Sequence, residues 1–490
     1  MIAKINNNLF AQIFFPIFNS LCVFKFKNTI TPKTPGYYYH INKFVNLLPG
    51  QIINYFCTIK RKTKMQSAIN VFKFGGASVK DAAAVRNVAS ILKKFNDKSL
   101  VVILSAMGKT TNALERVHQA YVSGETSDTL KRIAESEQFH LSIMNELFSE
   151  DEAIFKAVAD LFNKLKTEID ISPEFSFDKS YDRIVSFGER IATTILAAYL
   201  QKSGFNVNHI YAGDYIITDN TYRDAYVNWE ETNAKIKNES SKWFEKPGIV
   251  LTQGFIGRSQ EGCPITLGRE GSDFSAAIFA HSLNASEVVI WKDVPGIMSA
   301  DPKLISSAVV LKHISYREAV ELTYYGATVI HPKTIKPLEN KNIPLTVKSF
   351  INPEGDGTLI DRKSVDDKAT PSFIFKFNQV LLSIFPRDFS FINERNMSDI
   401  FSMFSRNNIK VHVMQNSAVS FSVCFDYEPA KLSVLLDDLQ KRFMVRYNDS
   451  VDLVTIRHYQ NNSADQFIKG RKILLEQKSR STWQLIISKN

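Results

Sequence analysis

The heptapeptide Val71-Phe72-Lys73-Phe74-Gly75-Gly76-Ala77, followed by Ser78, puts a lysine at the end of an apolar run and two glycines at the turn behind it. Without Cβ atoms in the way, the backbone N–H groups of such a turn and the start of the next helix can close on a phosphate, and the lysine would meet its oxygens. An ordinary strand-to-helix turn with a solvated lysine also fits these residues. A second cluster, Thr266-Leu267-Gly268-Arg269-Glu270-Gly271-Ser272-Asp273, leads into an apolar helix. There Arg269, between glycines, can take a carboxylate through two nitrogens, and Asp273 falls in a first helical turn, where the dipole favours an anion. Helix capping by Ser272 and Asp273 is the plainer explanation of that pair. Trp291-Lys292-Asp293-Val294-Pro295-Gly296-Ile297, closed by Asp301-Pro302-Lys303, reads as a strand end and a Pro-Gly turn. Ser186-Phe187-Gly188-Glu189 reads as the lead into a helix that begins near Arg190.

The elements that would hold these clusters alternate. Residues 71–74, 100–104, 248–251 and 288–291 are short apolar runs of the kind buried on both faces of a parallel sheet. Ala84, Val88, Ile91, Leu92 and Phe95 recur at helical spacing, and 128–148, 190–200 and 273–283 read as further helices. Strand and helix in repetition predict an α/β sandwich with a mainly parallel sheet, whose ligands gather at the carboxyl ends of the strands. The pattern changes after Ile360. Beyond a charged stretch at 361–367 it becomes strand 379–385, helix 398–406, strands 410–415 and 419–425, helix 429–443 and strand 451–458, the βαββαβ order of a ferredoxin-like α+β module. A tail from Asn461 adds a short helix and strand-like runs at 472–477 and 482–488. The expected division is a leader at 1–64, the α/β domain at 65–365, the ferredoxin-like module at 371–460 and a partial second unit at 461–490.

Net charge is +10 over 490 residues, which invites a nucleic-acid or anionic-membrane partner. The leader argues otherwise, because its eight lysines and one arginine, with no acidic residue, hold nearly all of the excess. Asn, Ile, Phe, Lys and Tyr supply 37 of those 64 residues, a bias that translated non-coding sequence shows, so Met65 is the expected start; a transit peptide is the alternative. No run of eighteen apolar residues follows, so no membrane partner is expected. Cys263 and Cys424 have no paired spacing, which suits the cytoplasm and implies neither a disulfide framework nor a zinc site.

Taken together and in order, these clusters resemble the aspartokinase branch of the amino-acid kinase family. The resemblance runs from Val71 to about Ile360 through VFKFGGASV at 71–79, LSAMGKTTNAL at 104–114, SFGER at 186–190, TLGREGSD at 266–273, IWKDVPGIMSADPK at 290–303 and YGATVIHPKTIKP at 325–337. An ACT-type module stands behind it. The resemblance implies an amino-acid-kinase three-layer sandwich and Mg-ATP-dependent phosphorylation of the side-chain carboxylate of free aspartate, the first step toward lysine, threonine and methionine. It implies that Lys73 neutralises the transferred group and Asp273 orients Lys73. Arg269 would hold the α-carboxylate, Glu189 the α-ammonium, and Ser105, Thr111 and Ser272 would complete the pocket. Gly75, Gly76 and Ser78 would cradle phosphates, while Lys292, Asp293, Met298, Asp301 and Lys303 lie where relatives bind the nucleotide. Mg²⁺, held mostly by phosphate oxygens and water, leaves no protein metal site to find.

Some positions depart from the family pattern. Ala77 replaces a common threonine, Glu270 a frequent glycine, and Thr328 a nucleotide-binding lysine, leaving that contact absent or supplied by Lys333. ACT modules similar to this one pair edge to edge and bind an amino acid such as lysine or threonine between them, implying at least a dimer. The corresponding pocket would draw on Ile392, Arg395, Met397, Val411, His412 and Ser417. His412 stands where lysine-inhibited relatives have an aspartate, and Arg395 and Asn396 where they have small residues, so a purely dimerising module stays open. Other readings are a glutamate or acetylglutamate kinase on the same fold and a ligand sensor that has lost catalysis. A fused homoserine dehydrogenase is disfavoured, because G-x-G-x-x-G occurs nowhere in the sequence.

Overall fold

The structure, a computed structural model, describes residues 68–170, 176–327, 330–388, 390–460 and 463–489, which belong to one compact unit. The leader with Met65, Cys22 and Cys57, and Thr328, lie outside the described residues. β1 (Ile69–Phe74) passes through a single 3₁₀ turn at Gly76–Val79 into α1 (Ala82–Lys93), and β2 (Ser99–Leu104) leads to α2 (Thr110–Val122). Then come α3 (Thr126–Leu147), α4 (Ala153–Asp170), α5 (Phe177–Val185) and α6 (Phe187–Lys202). β3 (Val207–His209), α7 (Trp229–Trp243), β4 (Gly248–Gln253), the hairpin of β5 (Ile256–Arg258) and β6 (Pro264–Thr266), and α8 (Gly271–Leu283) follow. β7 (Glu287–Lys292), β8 (His313–Ser315), α9 (Tyr316–Tyr325), α10 (Pro332–Lys341), β9 (Leu345–Ser349) and β10 (Thr358–Asp361) complete this part.

Eight of these strands form one sheet in the order β3-β4-β2-β1-β7-β9-β10-β8, parallel except where β10 runs against β9. Side chains alternate across it as the two-residue period requires. Phe72, Phe74, Leu100, Val102, Leu104, Leu251 and Trp291 enter one core under α1 to α6. Val71, Val101, Ile103, Val250, Val288 and Ile290 enter another under α7 to α10. Because both faces are covered, the central strands read as unbroken apolar runs, and the result is the expected three-layer sandwich. α1 illustrates the local logic. Asp81 accepts from the Ala84 N–H at 2.7 Å and stops the chain from fraying, while Val85, Val88, Ile91 and Leu92 line its buried face.

The rear of the chain folds as β11 (Ser372–Pro386), α11 (Glu394–Arg406), β12 (Val411–Asn416), β13 (Phe421–Asp426), α12 (Pro429–Gln440) and β14 (Phe443–Arg457). α13 (Asp465–Ile468), β15 (Ile473–Lys478) and β16 (Thr482–Ile487) follow. All six strands share one antiparallel sheet in the order β12-β13-β11-β14-β16-β15. The first βαββαβ set thus has the ferredoxin-like order. β11 and β14 differ from expectation in length, each running 15 residues. Asn378 takes φ 55° where the register slips, so the strand expected from 379 is the second half of a longer one that continues through a bulge. The extra halves have a use: Ser372–Lys376 of β11 pairs with the end of β14, and β16 pairs with Asp452–Arg457. The tail strands therefore extend the same sheet beyond β14.

Candidate active site

The expected clusters converge at the carboxyl ends of β1, β2 and β7, around a cleft of about 490 Å³. Lys73, Ser105, Thr111, Glu189, Arg269, Ser272, Asp273 and Lys292 all line it. Lys73 leaves β1 one residue before its end and meets Asp273 from α8, with Nζ 2.7 Å from Oδ1. Both side chains are largely buried. The contact is close but off the hydrogen-bonding direction, so that oxygen keeps room for another donor.

The glycines have a packing reason. A Cβ on Gly76 would stand 2.6 Å from the Ala106 carbonyl oxygen and 2.7 Å from that of Gly108, so the turns after β1 and β2 touch backbone to backbone. A Cβ on Gly75 would lie 3.5 Å from the Lys73 ammonium. Ser78 is buried, and its hydroxyl donates to the Gly75 carbonyl at 2.5 Å, which braces the turn.

Glu189 is positioned by a helix that starts earlier than expected. α6 begins at Phe187, not near Arg190, because Gly188 lets it settle on the β2 loop; a Cβ there would stand 2.9 Å from that of Ala106. Glu189 therefore falls in the first turn, 2% exposed, and its Oε1 accepts from the Ala106 N–H at 3.2 Å. Its Oε2 is buried without a hydrogen-bond partner among the described residues. Burial pushes the carboxyl up to about 7, against the opposing pull of the Ala106 N–H and the Lys73 charge.

The start of α8 decides between the two readings of Ser272 and Asp273. Glu270, not Ser272 or Asp273, is the N-cap, and no side chain caps the helix. Glu270 sits at φ 54°, the left-handed region that a glycine enters freely, and its Oε2 accepts from the His331 N–H at 2.9 Å. Ser272 and Asp273 lie inside the first turn and face the cleft. Arg269 is exposed on the cleft wall and forms no ion pair among the described residues.

Several expected contacts lie elsewhere. Gly75, Gly76, Ser78, Asp293, Met298, Asp301 and Lys303 are outside the cleft lining. Met298 bridges to Val310, and Asp301 accepts from the Lys303 N–H at 2.9 Å, so these order the loop after β7. Lys333 is engaged by Asp224 and by the Leu267 carbonyl, away from the cleft lining. The six residues expected around an effector sit in three settings within one chain. Ile392, Met397 and Val411 pack into the apolar core beneath α11 and α12. His412 pairs with Asp426 at 2.9 Å and faces Lys376 and Tyr324. Ser417 bonds Ser420 in a turn, and Arg395 is exposed. Conversely, Glu115, Tyr181 and Arg223 line the cleft although no motif marked them.

The geometry can hold a zwitterion between a buried anion and an exposed guanidinium, next to a shielded ammonium. Residues 68–349 match the Amino acid kinase family. Over 365 residues the chain is 34% identical to the chloroplastic aspartokinase 3 of Arabidopsis thaliana, a match that takes in 73% of this chain and 64% of that protein. The chain thus spans just under two thirds of that relative's length. It is 31% identical over 369 residues to the lysine-sensitive aspartokinase 3 of Escherichia coli (strain K12), covering 74% of this chain and 79% of that one. The solved structure of E. coli aspartokinase III in complex with aspartate and ADP superposes with a TM-score of 0.71 at 26% identity, over 86% of this chain and 96% of that one. A family match over more than half of the sequence, and a relative followed across most of its own length, lead to one conclusion: this chain belongs to the amino acid kinase family, among the aspartokinases.

Proposed function

We propose that the protein transfers the terminal phosphoryl group of ATP to the side-chain carboxylate of free L-aspartate, giving 4-phospho-L-aspartate and ADP. The observation that carries this reading is the buried, unpartnered Oε2 of Glu189 in the same cleft as the Lys73–Asp273 pair and Arg269. An α-ammonium would satisfy that oxygen, Arg269 would take the α-carboxylate, and Ser105, Thr111 and Ser272 would offer hydroxyls. The β-carboxylate, ionised at neutral pH, needs no general base. One of its oxygens forms the new bond to phosphorus as the bridging oxygen leaves with ADP. Lys73 would carry the charge that builds on the transferred group, with Asp273 fixing its place.

Among the described residues no cluster of three or more metal-ligating side chains occurs. Mg²⁺ would come in on the nucleotide's phosphate oxygens and water. Gly75, Gly76, Ser78, Lys292 and the 293–303 loop would order the nucleotide side, and Thr328 is a further candidate there.

The ACT-type sheet would pair with that of a second copy, making at least a dimer, and take an amino-acid effector near 392–397 and 410–417. The lysine sensitivity named for the E. coli relative makes lysine the first ligand to try. No helix among the described residues is long and apolar enough to cross a membrane. The free Cys263 and Cys424 suit a reducing compartment, and we place the enzyme in the cytoplasm.

The test is aspartate-dependent ADP release by purified protein, with glutamate as the control acceptor. Turnover with aspartate well above glutamate supports the reading; turnover with neither, or glutamate alone, rejects it.

A pH dependence follows from Glu189. Its carboxyl titrates near 7 in the free protein, and only the ionised form can pair with an ammonium. Hence kcat/KM for aspartate should rise as pH climbs toward 7 and level off above it. Glu189→Gln should abolish that limb and raise the aspartate KM about tenfold to a hundredfold, as expected for loss of a hydrogen bond to a charged group. Initial rates between pH 5.5 and 8.5, a range set by the usual span of such titrations, check both points.

A further inference from the structure

Arg223 lies on the cleft wall, and its backbone is held in a conformation its side chain does not favour. Its φ is 67°, in the left-handed region that crowds the Cβ of a non-glycine residue. Asp182, fully buried on α5, holds it there. One carboxylate oxygen of Asp182 accepts from the N–H groups of Arg223 and Thr266, both at 2.9 Å, and the other accepts from the Thr266 hydroxyl at 2.6 Å. Thr266 opens the segment that presents Arg269. The two arginine-bearing loops also touch: a Cβ on Gly268 would stand 3.2 Å from the Arg223 carbonyl oxygen. A single buried carboxylate thus fixes both loops relative to each other.

The side chain is also set in place. Its guanidinium lies 4.3 Å from the Tyr181 ring centroid, and the Tyr181 hydroxyl donates to Glu115 at 2.7 Å. Nη1 is 3.2 Å from Asp178 Oδ1 in a solvent-exposed pair. Such exposed pairs are weak, and a guanidinium has donors to spare, so a ligand can compete for it.

We propose that Arg223 is a second carboxylate-binding guanidinium of the acceptor site, joining Arg269 on the α-carboxylate of the amino-acid substrate. This inference rests on the aspartate kinase reading above. Two carboxylate oxygens offer about four acceptor positions, so two guanidinium groups from adjoining loops can share them. An acceptor whose α-carboxylate is replaced by an amide would lose both partners. Arg223 would thereby select free amino acids over carboxamides and peptides. The strain at φ 67° then has a use, because a glycine there would relax the loop but supply no cation.

Arg223→Gly tests this with little risk to folding, since glycine suits the backbone. The expected result is an aspartate KM raised about tenfold, with the loss falling on KM rather than kcat and the ATP KM changing by less than about twofold. The preference for aspartate over its 1-amide should shrink by a similar factor. Arg223→Lys, which keeps the charge but not the fork, should fall between. An unchanged aspartate KM, or a defect confined to ATP, would overturn the inference and leave the kinase reading intact. Absence of aspartate-dependent turnover in the unsubstituted protein would overturn both.

Discussion

Lys73→Met should lower kcat at saturating aspartate and ATP by at least about a hundredfold. The argument starts from position. Lys73 is one residue from the end of a central strand, its ammonium shielded and held 2.7 Å from Asp273. A preorganised cation in a site of reduced dielectric stabilises charge that builds in the transition state more than charge already present in the ground state, so its removal falls on kcat. Methionine keeps the length and apolar stem of the side chain. It leaves Asp273 buried beside a neutral group, so a matched variant is needed: Lys73→Met with Asp273→Asn should recover thermal stability but not turnover. Steady-state kinetics on both proteins, with a melting curve for each, separates the chemical role from the structural one. Turnover within a few-fold of normal in the stable variant would remove Lys73 from the mechanism.

The second large effect is on stability and concerns the junction between the kinase sandwich and the rear sheet. Arg457, at the end of β14, is 6% exposed and meets Glu318 of α9, which is 4% exposed. Nε lies 3.1 Å from one carboxylate oxygen and Nη2 2.5 Å from the other, while Nη1 donates to Thr482 at 2.6 Å. Burial alone would raise the Glu318 carboxyl, but the contacts with His458 and Arg457 hold it below its ordinary value. Arg457→Met leaves the buried carboxylate with His458 as its one remaining close charged partner among the described residues, and breaking a buried pair from one side costs about 3–5 kcal/mol. The double replacement Arg457→Met with Glu318→Leu should cost far less, because no charge is then left unpaired. Calorimetry of the wild type, both singles and the double closes that cycle. The sign with pH is also fixed. The depressed Glu318 value means that its contribution is present above the unfolded value near 4.5 and is lost as pH falls through the lower folded value. A double variant as unstable as Arg457→Met would show that packing, not the charge pair, holds the junction.

The sandwich and the chemical poles of the site were legible in the sequence for one physical reason. A buried parallel strand is a short, continuous apolar run, and the residue that follows its end must face the cleft. Lys73 and Lys292 stand in the last two positions of such strands, whereas the Arg269–Asp273 segment follows the antiparallel β5–β6 hairpin and was marked by its glycines and the apolar helix behind it. Glu189 was legible in identity but not in setting, because the start of α6 at Phe187 depends on how Gly188 packs against Ala106. Arg223 and Tyr181 left no mark. They reach the cleft through Asp182, a buried carboxylate whose partners, Arg223 and Thr266, are 41 and 84 residues away in sequence. The N-cap of α8 left no mark, since a glutamate in the left-handed region carries no propensity signal; only the family's frequent glycine hints at it. In the rear sheet, the strand expected from 379 is the second half of β11, and the bulge at Asn378 separates it from the half that was not expected.

The central claim is that one cleft orients aspartate with its side-chain carboxylate toward the phosphoryl donor. Trapping the product with hydroxylamine tests this directly, because an acyl phosphate is converted to the hydroxamate of the carboxyl that carried it. Incubation with ATP, Mg²⁺, aspartate and hydroxylamine should yield aspartate β-hydroxamate, identified by mass spectrometry against both isomers. Formation of the α-hydroxamate, or of neither while ADP is released, would contradict the orientation assigned to Arg269, Glu189 and Lys73.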